Sequence, residues 1–268
     1  MKSEMYSFHK EDQQRIIDSI TNLGFVVVQD IYTPAEMKAV EGELGEAIRK
    51  EAAFHGTTDY KDYGMLLACP MYGGKFVEVL ENNHLWMPFN ALLGDSCITY
   101  VYTSSSMPPN GSNYSKRIHV DRPHYNPNVL ESLGCLICVN DFSIESGGTW
   151  VLPYSHLKVD EPSEAYFYKH AFQIEAKAGS VFYFSLRLWH AGGENKTAHW
   201  RNALGIGMIR PIFKQRIDLP KAIPAAVAAQ LSDKAKQKLG YFAQAPASLE
   251  EYYAPKETRA YREKSEWD

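Results

Sequence analysis

The chain is short of cysteine, of long apolar runs and of basic charge, and each shortage excludes a class of protein. Four cysteines in 268 residues, Cys69, Cys97, Cys135 and Cys138, are too few and too scattered for a disulfide scaffold. Cys135-Leu136-Ile137-Cys138 does spell C-x-x-C, but residues 133–142 read as a buried strand, in which residues three apart face opposite sides. These thiols are expected to be structural, as small buried hydrophobes. No stretch approaches the roughly 18 apolar residues of a membrane span, and Met1 to Met5 lead into polar sequence instead of a signal-peptide core. No membrane partner follows, and the expected compartment is the cytoplasm. A net charge of -4 and a pI near 6.2 provide no broad basic field, so nucleic acid is not expected as a partner either. No fixed-period repeat and no adenosine-phosphate cradle are present.

What is present is core-forming sequence. At 45% hydrophobic and 13% aromatic, 268 residues can form one domain, 1–268. Ile16, Ile17, Ile20 and Leu23 recur at helical spacing before Gly24, which predicts an amphipathic helix over 9–23. Residues 25–28 are β-branched and read as a strand. Thr33-Pro34-Ala35-Glu36 supplies an N-cap, a first-turn proline and a capping-box acid for a helix to about Lys50. Residues 1–50 are thus a helix-strand-helix scaffold. In 97–103, Thr99, Val101 and Thr103 should share one face and Tyr100 and Tyr102 the other. Residues 104–116, rich in Ser, Pro, Asn and Gly, read as a mobile lid or substrate loop. Further strands are expected at 133–142, 149–152, 172–175, 181–184 and 200–209. Many short strands with Gly and Pro punctuation argue for a mainly β fold, a sandwich or barrel. Residues 212–268 form a helical C-terminal extension that either caps the barrel or pairs two subunits in a homo-oligomer. The polar tail, 252–268, is an extended appendage or a packing arm.

The chemistry centres on Arg117-Ile118-His119-Val120-Asp121-Arg122-Pro123-His124-Tyr125. If this segment is extended, His119 and Asp121 point to one side. With His190, from Leu188-Trp189-His190-Ala191-Gly192-Gly193, they supply two imidazoles and one carboxylate. That facial triad suits Fe(II) and leaves three positions for a bidentate 2-oxo acid and O2. A 2-oxo dicarboxylate also needs its distant carboxylate held in a fixed direction, which a guanidinium does with paired, charge-assisted hydrogen bonds. Arg201 is the candidate, and its same-face neighbours Ala203, Gly205 and Gly207 are small enough to leave room for a ligand.

These pieces resemble the phytanoyl-CoA dioxygenase family of Fe(II)/2-oxoglutarate oxygenases. The resemblance rests on His119-Val120-Asp121, on Ser146-Gly147-Gly148-Thr149-Trp150-Val151-Leu152-Pro153-Tyr154-Ser155-His156, and on Trp189-His190-Ala191-Gly192-Gly193-Glu194-Asn195 with Arg201. Together with the N-terminal helix-strand-helix it covers roughly residues 10 to 240. It implies a double-stranded β-helix, jelly-roll or cupin-like, with His119, Asp121 and His190 on iron and Arg201 on the 5-carboxylate of 2-oxoglutarate. By position it places Thr103 and Trp150 near the cosubstrate. Two departures stand out. Tyr154 sits where the family often has Gly, and Gly192 where it often has a hydroxyl residue. Related halogenases carry Gly or Ala at the carboxylate position, so Asp121 points to hydroxylation, with succinate and CO2 as coproducts. Desaturation, ring closure and epimerisation use the same ligands and stay open.

On the substrate side, Arg122, His124 and Tyr125 follow the metal pair, and Asn140 and Arg187 lie near inner strands. Arg122 and Arg187 either attract an anion or make structural salt bridges. The aromatic stretches 60–72 and 166–168 are candidates for an apolar pocket wall. The expected substrate is a small metabolite or natural-product intermediate. Two rivals remain: a cupin-type metal enzyme without a 2-oxo acid, which Arg201 and its small neighbours oppose, and a catalytically silent binding module, which the intact ligand set opposes.

Overall fold

A computed structural model of the chain describes residues 5–59 and 63–259. The part of the aromatic stretch at residues 60–62 and the end of the tail therefore lie outside the described residues. The first element is a short strand, β1 (Ser7–His9), where the helix was expected to begin; α1 starts later and spans Gln13–Leu23. It buries Ile16 and Ile20, and Gly24 ends it in the left-handed conformation at φ 94°, its N–H donating to the Ile20 carbonyl. Strand β2 (Phe25–Gln29) follows. The next helix, α2 (Pro34–His55), opens with the full capping box: Thr33 Oγ1 accepts from the Glu36 N–H and the Glu36 carboxylate accepts from the Thr33 N–H at 2.7 Å.

Seven further strands follow: β3 (Ile98–Ser104), β4 (Ser132–Cys138), β5 (Trp150–Val151), β6 (Phe172–Gln173), β7 (Val181–Ser185), β8 (His190–Ala191) and β9 (Ala203–Ile209). They make a six-stranded sheet in the order β1-β2-β7-β4-β9-β3 and a three-stranded sheet in the order β6-β5-β8. All pairings are antiparallel except β1 with β2. Strand alternation sends the two faces of the large sheet to two different cores. Val26, Val28, Val181 and Tyr183 pack toward α1, α2 and the helix Asn83–Leu93. Phe25, Val27, Phe182 and Phe184 pack with Val151 and Ile174 of the small sheet's side. The large sheet is thus covered on both faces, which is why residues 25–28 are apolar at every position.

Strand β3 departs from simple alternation. Thr99 pairs with Met208 and Val101 with Gly207, so Tyr100 is an extra, bulged residue. Tyr100 therefore joins Val101 and Thr103 on one face, while Thr99 turns to the other and donates to the Lys238 carbonyl at 2.8 Å. The expected grouping of Thr99 with Val101 and Thr103 is corrected by that single inserted residue. The C-terminal helices cover the helical side of the large sheet, with Leu219, Ile223, Leu231, Ala235 and Leu239 in its core. Lys238, on the helix Asp233–Leu239, is buried and donates to Asn90 Oδ1 and the Asp95 carbonyl. All four cysteines are buried and free. No helix of the described residues is long and apolar enough to cross a membrane.

Tyr154 adopts φ 64°, in the left-handed region, at the start of the turn Ser155–Leu157. A non-glycine residue is disfavoured there by roughly 1–2 kcal/mol, partly offset by glycine's larger entropy loss on folding. Tyr154→Gly is therefore expected to raise stability by about 0.5–1 kcal/mol in urea unfolding. A destabilised variant would show that the half-exposed Tyr154 ring contributes more than its backbone costs.

Candidate active site

The site begins with one backbone pairing. His119 and His190 form an antiparallel bridge in which each N–H donates to the other's carbonyl, at 2.9 and 3.0 Å. His190 belongs to β8, where Val151 is its partner on the far side, and the chain reaches it from β7 through the tight turn 186–189. The His119 segment runs on beside this turn, Arg122 N–H donating to the Leu186 carbonyl at 2.9 Å. It is extended as expected, but only the His119 bridge is regular strand pairing. The imidazole centroids lie 4.3 Å apart, and Asp121 Oδ1 stands 3.4 Å from His119 Nε2 and 3.9 Å from His190 Nε2.

Both rings are oriented by their other nitrogen. His119 Nδ1 meets the Arg117 carbonyl and His190 Nδ1 the Leu188 carbonyl, each at 2.8 Å. An Nδ1–H donated to each carbonyl leaves both Nε2 lone pairs pointing at the same place. Ligand bonds of about 2.1 Å at right angles put donor atoms about 3 Å apart, so a slight contraction closes the triad on an ion. Burial depresses the His190 pKa, opposed by Asp121, and keeps the ring neutral. Burial pushes the Asp121 carboxyl up, but His190, His119 and Arg117 together outweigh it and hold it below the usual range. Both shifts favour the forms of His190 and Asp121 that bind a metal. Asp121 keeps 39% of its side chain accessible against 9% for His190, so the centre opens on the carboxylate side.

That side is a cavity of about 190 Å³ between the two sheets. Thr103, Gly205 and Gly207 line it, and Arg201 closes its inner end. Arg201 is 1% exposed, fixed by backbone bonds with Met107 at 2.9 and 3.1 Å and packed over Phe142 at 4.4 Å. Its Nε and Nη1 have no partner among the described residues. Burial lowers its pKa to about 10, with Cys138 acting the other way, so it remains a cation at neutral pH. A buried, unpaired guanidinium costs several kcal/mol unless an anion satisfies it. The residues therefore fit a carboxylate ligand beside the metal.

Other expected site residues stand elsewhere. Trp150 is not in the cavity wall; its neighbour Thr149 is, and alternation turns Trp150 outward, edge-on to Tyr168 at 5.5 Å. Asn140 faces away from the cavity, bonding Glu41 and the Asn202 N–H at 2.9 Å each. His124 is exposed and paired with Glu131 at 3.0 Å. Tyr125 lies under the Arg187 guanidinium at 5.0 Å. Arg122 stacks on Tyr100 and Phe213 behind the cavity wall. Residues that sequence reasoning passed over include Tyr100, brought in by the bulge, and Arg216. Ser115 is another. Its Oγ lies 2.6 Å from where a Cβ on Gly192 would stand, so a hydroxyl occupies that place although residue 192 has none. The loop that carries it is tied down by the Met107–Arg201 and Gly111–Asn195 bridges.

Arg187 donates to the Pro123 carbonyl and, at 2.6 Å, to that of Lys158. It clamps the segment carrying His119 and Asp121 to the turn that delivers His190. Arg187→Met should weaken Mn(II) binding by about tenfold, the lower end for groups that orient metal ligands, as read by electron paramagnetic resonance titration. Unchanged affinity would mean that the backbone bridge alone holds the ligands.

The model of the phytanoyl-CoA dioxygenase (PhyH) family matches residues 21–203, so most of β9 and the segment after it lie beyond the match. An uncharacterized protein of Mycobacterium tuberculosis is 27% identical over 256 residues, covering 92% of this chain and 94% of its own length. The crystal structure of AviO1 from Streptomyces viridochromogenes superposes with a TM-score of 0.63 at 17% identity, over 76% of this chain and 97% of that one. SnoK, a non-haem α-ketoglutarate-dependent carbocyclase from nogalamycin biosynthesis, gives 0.61 at 15% identity, over 75% and 86%. The two superpositions speak for a shared fold. Because the family match takes in well over half of the sequence, the chain belongs to the phytanoyl-CoA dioxygenase family of non-haem iron, 2-oxoglutarate-dependent oxygenases.

Proposed function

We propose that the two sheets form the double-stranded β-helix of this family and that His119, Asp121 and His190 hold Fe(II) at its open end. Arg201 takes the 5-carboxylate of 2-oxoglutarate. The observation that carries the reading is the buried Arg201 guanidinium, unpartnered at Nε and Nη1, in the same cavity as the triad. When bound, iron and 2-oxoglutarate supply the oxidising power for an unactivated C–H bond, with O2 consumed and succinate and CO2 released. The protein's part is placement. Arg201 fixes the direction of the cosubstrate, and Thr103, Thr149 and Ser115 offer hydroxyls around it. Ser115 supplies from the loop the hydroxyl that Gly192 lacks. Gly205 and Gly207 keep the floor clear: a Cβ on Gly207 would come within 3.1 Å of Val101 Cγ1. Leu136, Phe184, Leu186 and Ile206 give the substrate an apolar wall that excludes water from the reacting bond. The product is a hydroxylated small metabolite or natural-product intermediate.

Anaerobic titration with Fe(II) and 2-oxoglutarate tests this through the visible charge-transfer band of the chelate. Arg201→Met should weaken 2-oxoglutarate binding by about 10- to 100-fold, the worth of one or two charge-assisted hydrogen bonds, and leave Fe(II) binding intact. Without an anion to lose, the unliganded variant should melt no lower than wild type. Asp121→Ala should abolish succinate formation. Iron binding without the band would point to a metal enzyme that uses no 2-oxo acid.

Proton competition gives a further expectation. The folded pKa values of His190 and Asp121 are both depressed, so a proton competes with the metal only below their ordinary values. In the metal-free chain the His190 ring should titrate below about 6.5, the usual imidazole value, as read by NMR of its ring protons. A His190 ring that titrates at or above that value would mean that burial does not depress it.

A further inference from the structure

The cavity holds one more cation than the cosubstrate can use. Besides the three triad side chains, its lining carries two charged groups, Arg201 and Arg216. Asp121 is committed to the metal, and 2-oxoglutarate brings a single distant carboxylate, which Arg201 takes. Arg216 is left over. Its side chain is exposed and makes no hydrogen bond or ion pair with any described residue, so none of the described residues neutralises it.

Its position is built, although it lies after β9, beyond the sequence matched to the family. The Arg216 N–H donates to the carbonyl of the bulged Tyr100 at 3.0 Å, and Gln215 Nε2 donates to the Thr99 carbonyl at 2.7 Å. The bulge and the C-terminal segment thus hold one another, placing Arg216 and the Tyr100 ring together on the cavity wall. Arg201 is at the other end. It pairs with Met107, whereas the bulge pairs beside Gly207, six residues on, about 20 Å of strand at roughly 3.3 Å per residue. The backbones of the two arginines are thus anchored toward opposite ends of β9.

We propose that Arg216 is the specificity determinant for an anionic substrate, a carboxylate or phosphate on a small apolar body, whose charged end it holds against Tyr100 while the apolar body reaches along Leu136, Leu186 and Ile206 toward the metal. This rests on the reading of Arg201 as the cosubstrate anchor. Arg122, stacked on the Tyr100 ring at 5.5 Å, adds positive potential at the same wall without lining the cavity.

The test is calorimetric titration of the full chain, loaded with Mn(II) and 2-oxoglutarate under anaerobic conditions. The probes are benzoate, phenylacetate and phenyl phosphate, with benzamide as the neutral comparison. The expected result is that at least one acid binds ten times or more tighter than benzamide, and that Arg216→Gln removes this preference. Arg216→Lys should keep part of it, and the melting temperature of both variants should match wild type because the side chain is exposed. Carboxylate against phosphate preference then names the anion. The proposal is overturned if no acid binds wild type, if acid and amide bind alike, or if Arg216→Gln leaves the preference intact while Arg122→Gln removes it. If instead the acids displace 2-oxoglutarate and their binding is lost in Arg201→Met, the assignment of Arg201 to the cosubstrate fails as well. A 2-oxoglutarate titration that succeeds while the acids fail sinks only the Arg216 proposal.

Discussion

Everything at this site depends on the two hydrogen bonds between the backbones of His119 and His190. They join two segments that meet at no other regular strand pair, and they set the imidazoles side by side. Side-chain contacts alone would leave the rings free to rotate. Here each Nδ1 is bonded to a carbonyl two residues back in its own chain, so orientation is settled locally and separation by the bridge. The carboxylate then needs only to be two residues beyond His119 on an extended segment, which is the spacing present.

The rest of the fold holds that bridge in place and keeps a space beside it. Covering the large sheet on both faces makes it a rigid floor, and within the small sheet the segments flanking β5, β6 and β8 approach one another closely through glycines. A Cβ on Gly148 would lie 2.2 Å from the Ile174 carbonyl oxygen, and one on Gly193 would lie 2.6 Å from that of Gly148. The Gly-Gly pairs of the two motifs are thus one packing contact seen from its two sides. Against this economy of space the unpaired Arg201 is an exception. Its charge is buried with no hydrogen-bond partner at Nε or Nη1 among the described residues, a local cost carried by the fold for the sake of a ligand.

The outer wall is built differently. It is formed where a bulge in β3 meets the segment that follows β9, outside the stretch matched to the family. A metal and cosubstrate centre at the inner end and a separately built wall at the outer end are a natural division for an oxygenase. The reacting centre has fixed requirements, whereas the substrate end can vary with the loops that supply it.

From the sequence alone the local facts were legible. Helix caps at Thr33 and Gly24 could be read because their hydrogen bonds lie within a few residues. The triad and Arg201 could be named because metal and carboxylate chemistry accept few residue types, and the preference for Gly at position 154 has its reason in a single φ angle. What only the tertiary structure decided were the faces and the long-range partners. One bulged residue turned Tyr100 inward and Thr99 outward, and the pairing of β5 with β8 put Thr149, not Trp150, in the cavity. Arg187 became a clamp because two distant carbonyls happen to converge on it, and Arg216 faces the cavity because Tyr100 holds its backbone. Such outcomes depend on strand register and on chain crossings far apart in sequence, and a one-residue shift in register exchanges the faces that residue type alone cannot assign.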